Sequence, residues 1–485
     1  MHIRTRFAPS PTGYMHLGNL RSALYTWLFA RKHKGVFILR IEDTDQSRYV
    51  EGAVDVIYRT LRGIGMDWDE GPDVGGAFGP YVQSERKSLY LPYAQQLVAA
   101  GKAYYCFCTH EELNDRRAAA EADGNAAWKY DKHCLNLTQE EVQARLDAGQ
   151  AYVIRQDVPL SGEAGFDDVL YGHIRVDCRE LDDMILVKSD GMPTYNFANV
   201  VDDHTMGITH VMRGNEYLSS TPKYNLLYEA FGWDKPVYIH MTPIMRDATH
   251  KLSKRDGDAY FEDYVAKGYL PEAIVNYVAL LGWNPGDDRE FFTLPELIDA
   301  FDVSGMSKSP AIFDPQKLTW MNAEYIRKLS QADFVRHARP YLSVESGEWR
   351  VELLASILQP RVEYFSQIPD MIDFLSELPD YDIELFTNKK SKTNPEISAQ
   401  VLGFVLPALE NLSDWSVTAI HDLLIGMALE REMKNGTLLW PVRIALAGKP
   451  VTPGGAAEIA FLLGRDESLK RLRQANYKLQ TTNYK

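Results

Sequence analysis

Residues 9–19 read Pro9-Ser10-Pro11-Thr12-Gly13-Tyr14-Met15-His16-Leu17-Gly18-Asn19 and follow a short segment, Ile3 to Ala8, that we expect to be extended. Two prolines and two glycines in this stretch are typical of a turn that joins a strand to a helix. Free N–H groups and the helix dipole attract anions at a helix N-terminus, so such a turn can bind phosphate. Gly18 allows close approach to the backbone, and His16 can donate to a phosphate oxygen. A bare turn of this composition would also be compatible with a purely structural role.

The residues after this turn predict the rest of a βαβ unit. Apolar side chains recur every three or four positions from Leu17 to Leu28, the spacing of a helix with one buried face. The apolar run from Val36 to Ile41, interrupted by Arg40, is typical of a buried parallel strand. We therefore predict a parallel sheet with a ligand crevice at the carboxyl ends of its strands.

A second stretch, Lys251-Leu252-Ser253-Lys254-Arg255, places three cations in five residues. Alone it would be a solvated surface loop. Beside a triphosphate it has a chemical use, because displacement of pyrophosphate builds negative charge on phosphate oxygens. One cation about 4 Å away is worth roughly 4 kcal/mol near a protein surface, or about 10³ in rate if the contact forms only in the transition state.

Length and composition limit the class of protein. At 485 residues we expect two to four domains, and 45% hydrophobic with 25% charged residues is typical of a soluble globular protein. No apolar run approaches the roughly 18 residues of a membrane span, and the N-terminus lacks a signal-peptide core, so we expect a cytoplasmic protein. The net charge of -15 disfavours indiscriminate nucleic-acid binding.

The composition of the chain and its pattern of predicted helices and strands change twice. From about 81 to 192, helical stretches rich in Ala, Glu and Gln alternate with short strands such as Ala151 to Val158, which indicates an insertion. The α/β pattern returns after Pro193, with strands at Ile208 to Arg213 and Val237 to Met241. Beyond Pro271 the pattern is mostly helical.

Two arginines are expected at the crevice. Arg6 lies in the first strand and Arg213 ends a later one, and a guanidinium grips a carboxylate bidentately. Together they suit a substrate with two carboxylates, although one or both, and Arg6 more than Arg213, could instead pair with Glu42, Asp43 or Asp45. Tyr195 and Asn199 are four apart and would share one helix face.

At this point the chain resembles the bacterial glutamyl-tRNA synthetases, a family of class I aminoacyl-tRNA synthetases. The resemblance rests on these segments: Arg4 to Gly13, Arg40-Ile41-Glu42-Asp43-Thr44-Asp45, Pro193-Thr194-Tyr195, Val200-Val201-Asp202-Asp203, Lys251 to Arg255, Gly268 to Ala273 and Leu318-Thr319-Trp320-Met321-Asn322. It implies a multidomain α/β plus all-α fold. A Rossmann-type catalytic domain (1–80 and 193–245) would contain a connective acceptor-end-binding α/β insertion (81–192). A signature-loop and stem-contact region (246–325) and an all-α anticodon-binding region (326–485) would follow.

The resemblance also implies roles for individual residues. His16, Lys251 and Lys254 would be catalytic. ATP, accompanied by Mg²⁺, would be bound by Pro9, Ser10, Gly13, His16, Gly18, Asn19, Lys251, Ser253, Lys254 and Arg255. Glutamate would be bound by Arg6, Ser10, Glu42, Tyr195, Asn199 and Arg213, with Arg213 reading the side-chain carboxylate and Ser10 and Glu42 receiving the ammonium. Arg361 would read an anticodon base.

The cysteines are where the chain departs from the family pattern. Some members bind zinc in the insertion through Cys-x-Cys and a later Cys-x-His or Cys-x-Tyr. Cys106, Cys108 and Cys134 match, but the fourth position is Asn136, a poor zinc ligand. His133 or His110 could take its place with altered geometry. The alternative is three reduced thiols without metal.

The hypothesis is a monomeric glutamate–tRNA ligase that uses ATP, L-glutamate and tRNA(Glu). The rivals are a glutaminyl-type or non-discriminating synthetase that also charges tRNA(Gln), a truncated relative that glutamylates a tRNA base, and a non-catalytic RNA-binding paralogue. Intact His16, Gly18, Lys251 and Lys254 disfavour the last, since a pure binder has no use for a phosphate clamp.

Overall fold

The fold is taken from a computed structural model, which describes residues 2–122, 124, 128–253, 259–342 and 348–482. The chain forms two compact units, one of Met1–Ala266 with Pro271–Pro315 and one of Lys267–Leu270 with Gln316–Lys485. The first unit carries the sheets, and the second is helical. The finer division into four regions stays a prediction.

The strands are short and all lie in the first unit as far as it is described. They are β1 (Arg4–Phe7), β2 (Val36–Leu39), β3 (Ala103–Cys106), β4 (Val153–Gln156), β5 (Glu163–Asp168), β6 (Gly172–Asp177), β7 (Ile185–Val187), β8 (His210–Gly214), β9 (Val237–Met241), β10 (Ile244–Met245) and β11 (Ala311–Ile312).

Helices connect these strands and build the second unit. Those up to the unit boundary are α1 (Leu17–Lys32), α2 (Ala53–Gly63), α3 (Lys87–Ala99), α4 (His110–Ala122), α5 (Gln139–Asp147), α6 (Tyr195–Thr205), α7 (Thr221–Phe231), α8 (Phe261–Ala266), α9 (Pro271–Ala279) and α10 (Leu294–Ala300). The others are α11 (Pro315–Lys328), α12 (Gln331–Ala338), α13 (Glu348–Leu358), α14 (Ile368–Ile372), α15 (Pro395–Glu410), α16 (Val417–Glu430), α17 (Asn435–Ala447), α18 (Ala456–Leu463) and α19 (Arg465–Thr482).

The predicted βαβ unit is confirmed. Strands β1 and β2 pair in parallel with Arg6 opposite Ile38, and α1 connects them. The helix begins where predicted, at Leu17, because the His16 side chain caps its first turn. Its apolar face is fully buried, as at Leu20, Leu24 and Leu28. This unit fixes the turn of residues 9–19 at the carboxyl end of β1.

A four-stranded sheet in the order β6-β5-β9-β8 supplies the other wall of the site. Strands β8 and β9 pair in parallel with Arg213 opposite His240. The β5–β6 hairpin lies within residues 81–192, yet β5 joins β9 in parallel with Asp168 opposite Tyr238. The predicted insertion therefore contributes two strands to this sheet.

The rest of the insertion contains a second sheet, which is antiparallel and has the order β3-β4-β7. Its residues Tyr90, Ile154 and Leu186 share one apolar core with Val201 of α6 and Leu227 of α7. Helix α5 starts with a capping box in which Thr138 and Glu141 exchange side-chain and backbone hydrogen bonds.

The second unit confirms the predicted helical C-terminal region. Its apolar core is built mainly from helices α15 to α19, with Leu402, Leu424, Val442, Ile459 and Leu472 fully or almost fully buried. Across the described ranges of the chain, no helix combines the length and apolar character needed to cross a membrane.

Candidate active site

A cavity of about 720 Å³ opens at the carboxyl ends of β1 and β8. Its walls come from the turn after β1, the loop after β2, the start of α6 and the end of β8. Of the predicted site residues, the ones that line it are Arg6, Pro9, Ser10, Asn19, Glu42, Tyr195 and Arg213. The sequence thus predicted residues from four separate segments that the fold brings to one cavity.

The side chain of His16 organises the turn of residues 9–19. Its Nδ1 accepts a hydrogen bond from the Gly18 N–H at 3.0 Å, so the ring lies across the first turn of α1. A Cβ atom on Gly18 would lie only 3.2 Å from this Nδ1, which explains glycine at that position. Gly13 has φ of 121°, a backbone conformation that favours glycine.

Backbone hydrogen bonds connect the turn of residues 9–19 to the chain that follows the second stretch, Lys251 to Arg255. The Leu17 N–H donates to the Ala259 carbonyl at 2.9 Å, and the Phe261 N–H donates to the Met15 carbonyl at 3.0 Å. On the other side of the loop, the Leu252 N–H donates to the Ile244 carbonyl at 3.1 Å, beside an antiparallel bridge between Met245 and Lys251.

These contacts hold Leu252, and the segment from Ala259 to Phe261, in the first unit. Lys251 and Ser253 are exposed, and Leu252 is buried. Lys254 and Arg255, also predicted to bind ATP, lie outside the described residues.

Arg213 is a buried cation surrounded by neutral groups. Its Nε donates to His240 Nε2 at 3.1 Å, and its Nη2 donates to Thr221 Oγ1 at 2.7 Å. The guanidinium carbon lies 4.9 Å from the ring centroid of Tyr217 and 5.0 Å from that of Tyr224. Among the described residues, no carboxylate lies within 4 Å of this side chain, and its Nη1 has no hydrogen-bond partner. A buried positive charge next to a cavity favours an anionic ligand.

Arg6 has a structural partner that the sequence analysis did not identify. Its Nε donates to Asp203 Oδ1 at 3.0 Å, so the expected alternative partners in the Glu42–Asp45 segment are not the ones used. Asp203 also accepts from Arg40 Nη1 at 2.8 Å. Burial alone would raise the pKa of Asp203, but Arg6 and Arg40 outweigh it and hold the pKa below its ordinary value.

The same network continues beneath the cavity. Arg40 Nη2 donates to Glu42 Oε1 at 2.8 Å, and Arg86 Nε donates to Asp202 Oδ1 at 2.7 Å. All six charged side chains are at most 5% exposed. Three arginines therefore oppose three carboxylates in a buried cluster whose charges cancel.

Two residues of this cluster, Arg6 and Glu42, line the cavity, and each keeps one polar atom available to a ligand. Among the described residues, Arg6 donates through Nε and Nη1 only, which leaves its Nη2 without a partner. The described side chains that donate to Glu42 all reach Oε1, which leaves Oε2. Burial raises the pKa of Glu42, with Arg40 opposing that rise.

Tyr195 and Asn199 share a helix as predicted, but they differ in position relative to the cavity. Tyr195 begins α6 and lines the cavity, and burial with Glu42 nearby holds its pKa well above the ordinary value, so its hydroxyl can donate. Asn199 is buried and is not among the residues that line the cavity. Its amide donates back to the carbonyls of Tyr195 at 2.8 Å and Asn196 at 3.0 Å. In this structure Asn199 supports the start of α6 and does not reach the cavity.

The three predicted cysteines come together in the insertion. The Sγ atoms of Cys106, Cys108 and Cys134 all lie within 4.8 Å of one another. The Tyr130 hydroxyl lies 3.3 Å from Cys106 Sγ and 3.4 Å from Cys108 Sγ. Hydrogen bonds from Cys134 and Tyr130 lower the pKa of Cys106 to about 4. Three thiols and one phenol oxygen at these distances fit a tetrahedral zinc site.

The side chain that lies beside the three thiols is not one of those considered as a fourth zinc ligand from the sequence. Asn136, His133 and His110 are all exposed, and neither histidine belongs to the cluster of possible ligands. Tyr130, four residues before Cys134, takes the place beside the thiols. The signal for it was present as a Tyr-x-x-x-Cys spacing that the sequence analysis did not use.

Arg361 lies just after α13 in the second unit. It is exposed, and its Nη1 donates to the Ile357 carbonyl at 2.9 Å. Its predicted role at the anticodon stays a prediction.

Comparison with known proteins identifies the family. Residues 2–320 match the catalytic domain of class I tRNA synthetases (E and Q), and residues 333–476 match an anticodon-binding domain. The glutamate–tRNA ligase of Clostridium acetobutylicum is 59% identical over 480 residues, 99% of each chain. That of Clostridium novyi is 57% identical over 483 residues, 99% of this chain and 98% of the relative.

The chain belongs to the glutamate–tRNA ligases, a family of class I aminoacyl-tRNA synthetases. A crystal structure of a glutamate–tRNA ligase from Elizabethkingia meningosepticum, in complex with its amino acid, superposes with a TM-score of 0.90 at 36% identity and covers 99% of this chain and 100% of that one. The predicted family and fold class are confirmed. These relatives favour a glutamate ligase over a glutaminyl-type enzyme or a silent paralogue.

The buried network gives a prediction about stability. We expect Arg40→Ala to destabilise the first unit by about 3–5 kcal/mol, because Asp203 and Glu42 would lose a buried counter-ion. Arg117→Ala is the control, since its pair with Glu121 is exposed on one helix, and it should cost less than about 0.5 kcal/mol. Urea unfolding followed by tryptophan fluorescence measures both changes. Equal losses for the two variants would contradict the prediction.

Proposed function

We propose that this chain couples L-glutamate to the 3′ end of tRNA(Glu) in two steps. Both steps take place in the cavity at the carboxyl ends of β1 and β8. The α-carboxylate of glutamate attacks the α-phosphorus of ATP, and pyrophosphate leaves to give glutamyl-adenylate. A ribose hydroxyl of the tRNA acceptor end then attacks the acyl carbon, and AMP leaves. The observation that carries this proposal is Arg213, a buried cation at the cavity with no carboxylate partner among the described residues.

The cavity offers complementary groups for each charge of glutamate. Arg213, with Nη1 available, would receive the side-chain carboxylate, and Arg6 would support it through Nη2. Glu42 would receive the ammonium through Oε2, together with Ser10. Tyr195 would donate from its hydroxyl. An amide in place of the side-chain carboxylate would leave the Arg213 charge unpaired, which disfavours glutamine.

ATP would lie along the first turn of α1. The turn from Pro9 to Gly13 and the segment His16–Asn19 would approach its base and phosphates, and Lys251, Ser253, Lys254 and Arg255 would close over them. Mg²⁺ would neutralise phosphate charge. The ion would be held mainly by the phosphates and not by a protein cage.

The tRNA would be bound by both units. Residues 333–476 resemble an anticodon-binding domain, and Arg361 lies within them. The insertion, at 81–192, would meet the acceptor end.

Zinc in the insertion is a separate part of the proposal. Cys106, Cys108, Cys134 and Tyr130 would hold it, with the phenol oxygen as the fourth ligand. Such a site is structural, because four protein ligands leave no open position. It would fix strand β3 against the segment around Cys134.

The central test is glutamate-dependent exchange of pyrophosphate into ATP, with and without tRNA. We expect Lys254→Ala, and to a similar extent Lys251→Ala, to reduce adenylate formation by about two decades or more, because the lost cation acts on the transition-state charge. The affinity for tRNA should barely change. Lys235→Ala, at an exposed pair with Glu229, is the control. A large loss of tRNA binding would show that the loop has another task.

Arg213→Gln tests the reading of the substrate side chain. We expect kcat/KM for glutamate to fall by about two decades or more, since the buried charge that pairs with the carboxylate is removed. The KM for ATP should stay within about twofold of the original value. Arg175→Gln is the control, because Arg175 lies on β6 of the same sheet with its side chain 64% exposed. An Arg213 variant that retains full activity with glutamate would refute the assignment.

Elemental analysis tests the zinc site. We expect about one zinc ion per chain after purification without chelators. Tyr130→Phe should lose zinc to a chelator faster than the original protein, whereas Asn136→Ala should behave like it. A zinc-free protein would rule out the site, and an unchanged Tyr130→Phe variant would remove Tyr130 from the ligand set.

A further inference from the structure

Both neutral acceptors of Arg213 are themselves held by further hydrogen bonds. The Thr221 hydroxyl donates to the Tyr217 carbonyl at 2.7 Å, so its oxygen presents a lone pair to Arg213 Nη2. His240 accepts from Arg213 Nε through Nε2, which requires that this nitrogen carry no proton. Thr221 and His240 are fully buried.

Asp168 determines the tautomer of His240. Its Oδ2 lies 2.7 Å from His240 Nδ1 and also accepts the His240 backbone N–H at 3.0 Å. A carboxylate accepts hydrogen bonds, so Nδ1 carries the proton and Nε2 keeps its lone pair. Burial and the neighbouring Arg213 lower the pKa of His240, consistent with a neutral ring.

The carboxylate of Asp168 is itself fully engaged. Its Oδ1 accepts the backbone N–H groups of Leu170 and Tyr171, each at 2.9 Å. Burial alone would raise the pKa of Asp168, but the bonds from His240, Tyr171 and Leu170 outweigh it and leave the pKa below its ordinary value. Asp168 thus remains ionised and cannot rotate without losing four donors.

This arrangement differs from that of the other buried arginines at the site. Arg6, Arg40 and Arg86 each contact a carboxylate directly, at 2.7 to 3.0 Å. At Arg213 a neutral imidazole stands between the guanidinium and Asp168. The histidine fixes the orientation of the guanidinium as a carboxylate would, but it places no negative charge against it.

We propose that Asp168 and His240 are a positioning pair that orients Arg213 through a neutral acceptor and so reserves its charge for the acidic side chain of the substrate. The proposal rests on the proposed role of Arg213. It also assigns a part in amino-acid selection to the β5–β6 hairpin, because Asp168 ends β5.

Two substitutions at His240 separate charge from shape. In His240→Gln the amide oxygen can still accept from Arg213 and the amide nitrogen can donate to Asp168. In His240→Glu a carboxylate would lie against Arg213 and neutralise it. We expect His240→Glu to reduce kcat/KM for glutamate at least 100-fold and to lower the preference for glutamate over glutamine, while His240→Gln keeps kcat/KM within tenfold.

Asp168→Asn tests the tautomer. The amide oxygen would stay with the Leu170 and Tyr171 amides, and the amide nitrogen would face His240. The ring would then adopt the other tautomer and present an N–H to the Arg213 N–H, which displaces the guanidinium. We expect KM for glutamate to rise at least tenfold, with KM for ATP within twofold. Asp167→Asn is the matched control, since the Asp167 side chain is 88% exposed and pairs with His173.

Exchange assays on the full chain with tRNA, together with melting curves, decide the outcome. If His240→Glu fails to fold, Asp168→Asn against Asp167→Asn decides alone. If Asp168→Asn also fails to fold, His240→Gln decides, because loss of its activity with glutamate would overturn the neutral-acceptor role. Equal rises in KM for glutamate and ATP would overturn the pair as a positioning device.

One experimental result would refute the proposed function, and a different result would refute the Asp168–His240 pair. Absence of glutamate-dependent exchange in the unmodified protein would refute the proposed function itself. A loss in Arg213→Gln without any change in Asp168→Asn or His240→Glu would leave the function standing and refute the pair.

Discussion

The first unit depends on a cluster of six buried charges that cancel. Arg6, Arg40 and Arg86 face Glu42, Asp202 and Asp203 with almost no exposure to water. Removal of one partner would leave a buried charge uncompensated, so the segments that carry them must meet in one arrangement. These segments are β1, the end of β2, the residues before α3, and α6. The cluster thus positions the loops around the cavity as well as stabilising the fold.

Because that cluster is neutral, Arg213 is the residue that gives the cavity its preference for an anionic ligand. With the neighbouring arginines already paired, the positive charge of Arg213 is the one at the cavity that no described carboxylate contacts directly. Tyr217 and Tyr224 offer ring faces to the guanidinium, which stabilise the cation without neutralising it. A ligand that brings a carboxylate to this position gains a strong charge-assisted bond, while a neutral ligand leaves a buried ion unpaired.

Local sequence patterns predicted helix α1 and strand β2 well because the interactions that form them are local. The three- and four-residue spacing predicted α1 from its first residue, and the apolar run predicted β2. The motif residues Arg6, Ser10, Glu42, Tyr195 and Arg213 were also predicted, through the resemblance to a family. Asp203 and His240 were missed as supporting residues because their partners lie far away in sequence. Tyr130 was missed although it lies only four residues before Cys134. Asn199 was assigned to the ligand, but the carbonyls of its own helix take its amide hydrogens, a local competition that spacing alone does not reveal.

Residues 81–192 are continuous in sequence, but in the fold they belong to two different sheets. Residues 81–192 read as one block because their composition differs from that of the flanking segments. In the fold, β3, β4 and β7 form a sheet of their own beside the cysteines, whereas β5 extends the sheet that carries Arg213. Strand β5 meets β9 at Asp168, which pairs with Tyr238 and accepts the backbone N–H of His240. Asp168 at the end of β5 is thus linked to Arg213 through His240. The remainder of the insertion shares an apolar core with α6 and α7, and this core includes Tyr224, whose ring lies beside Arg213.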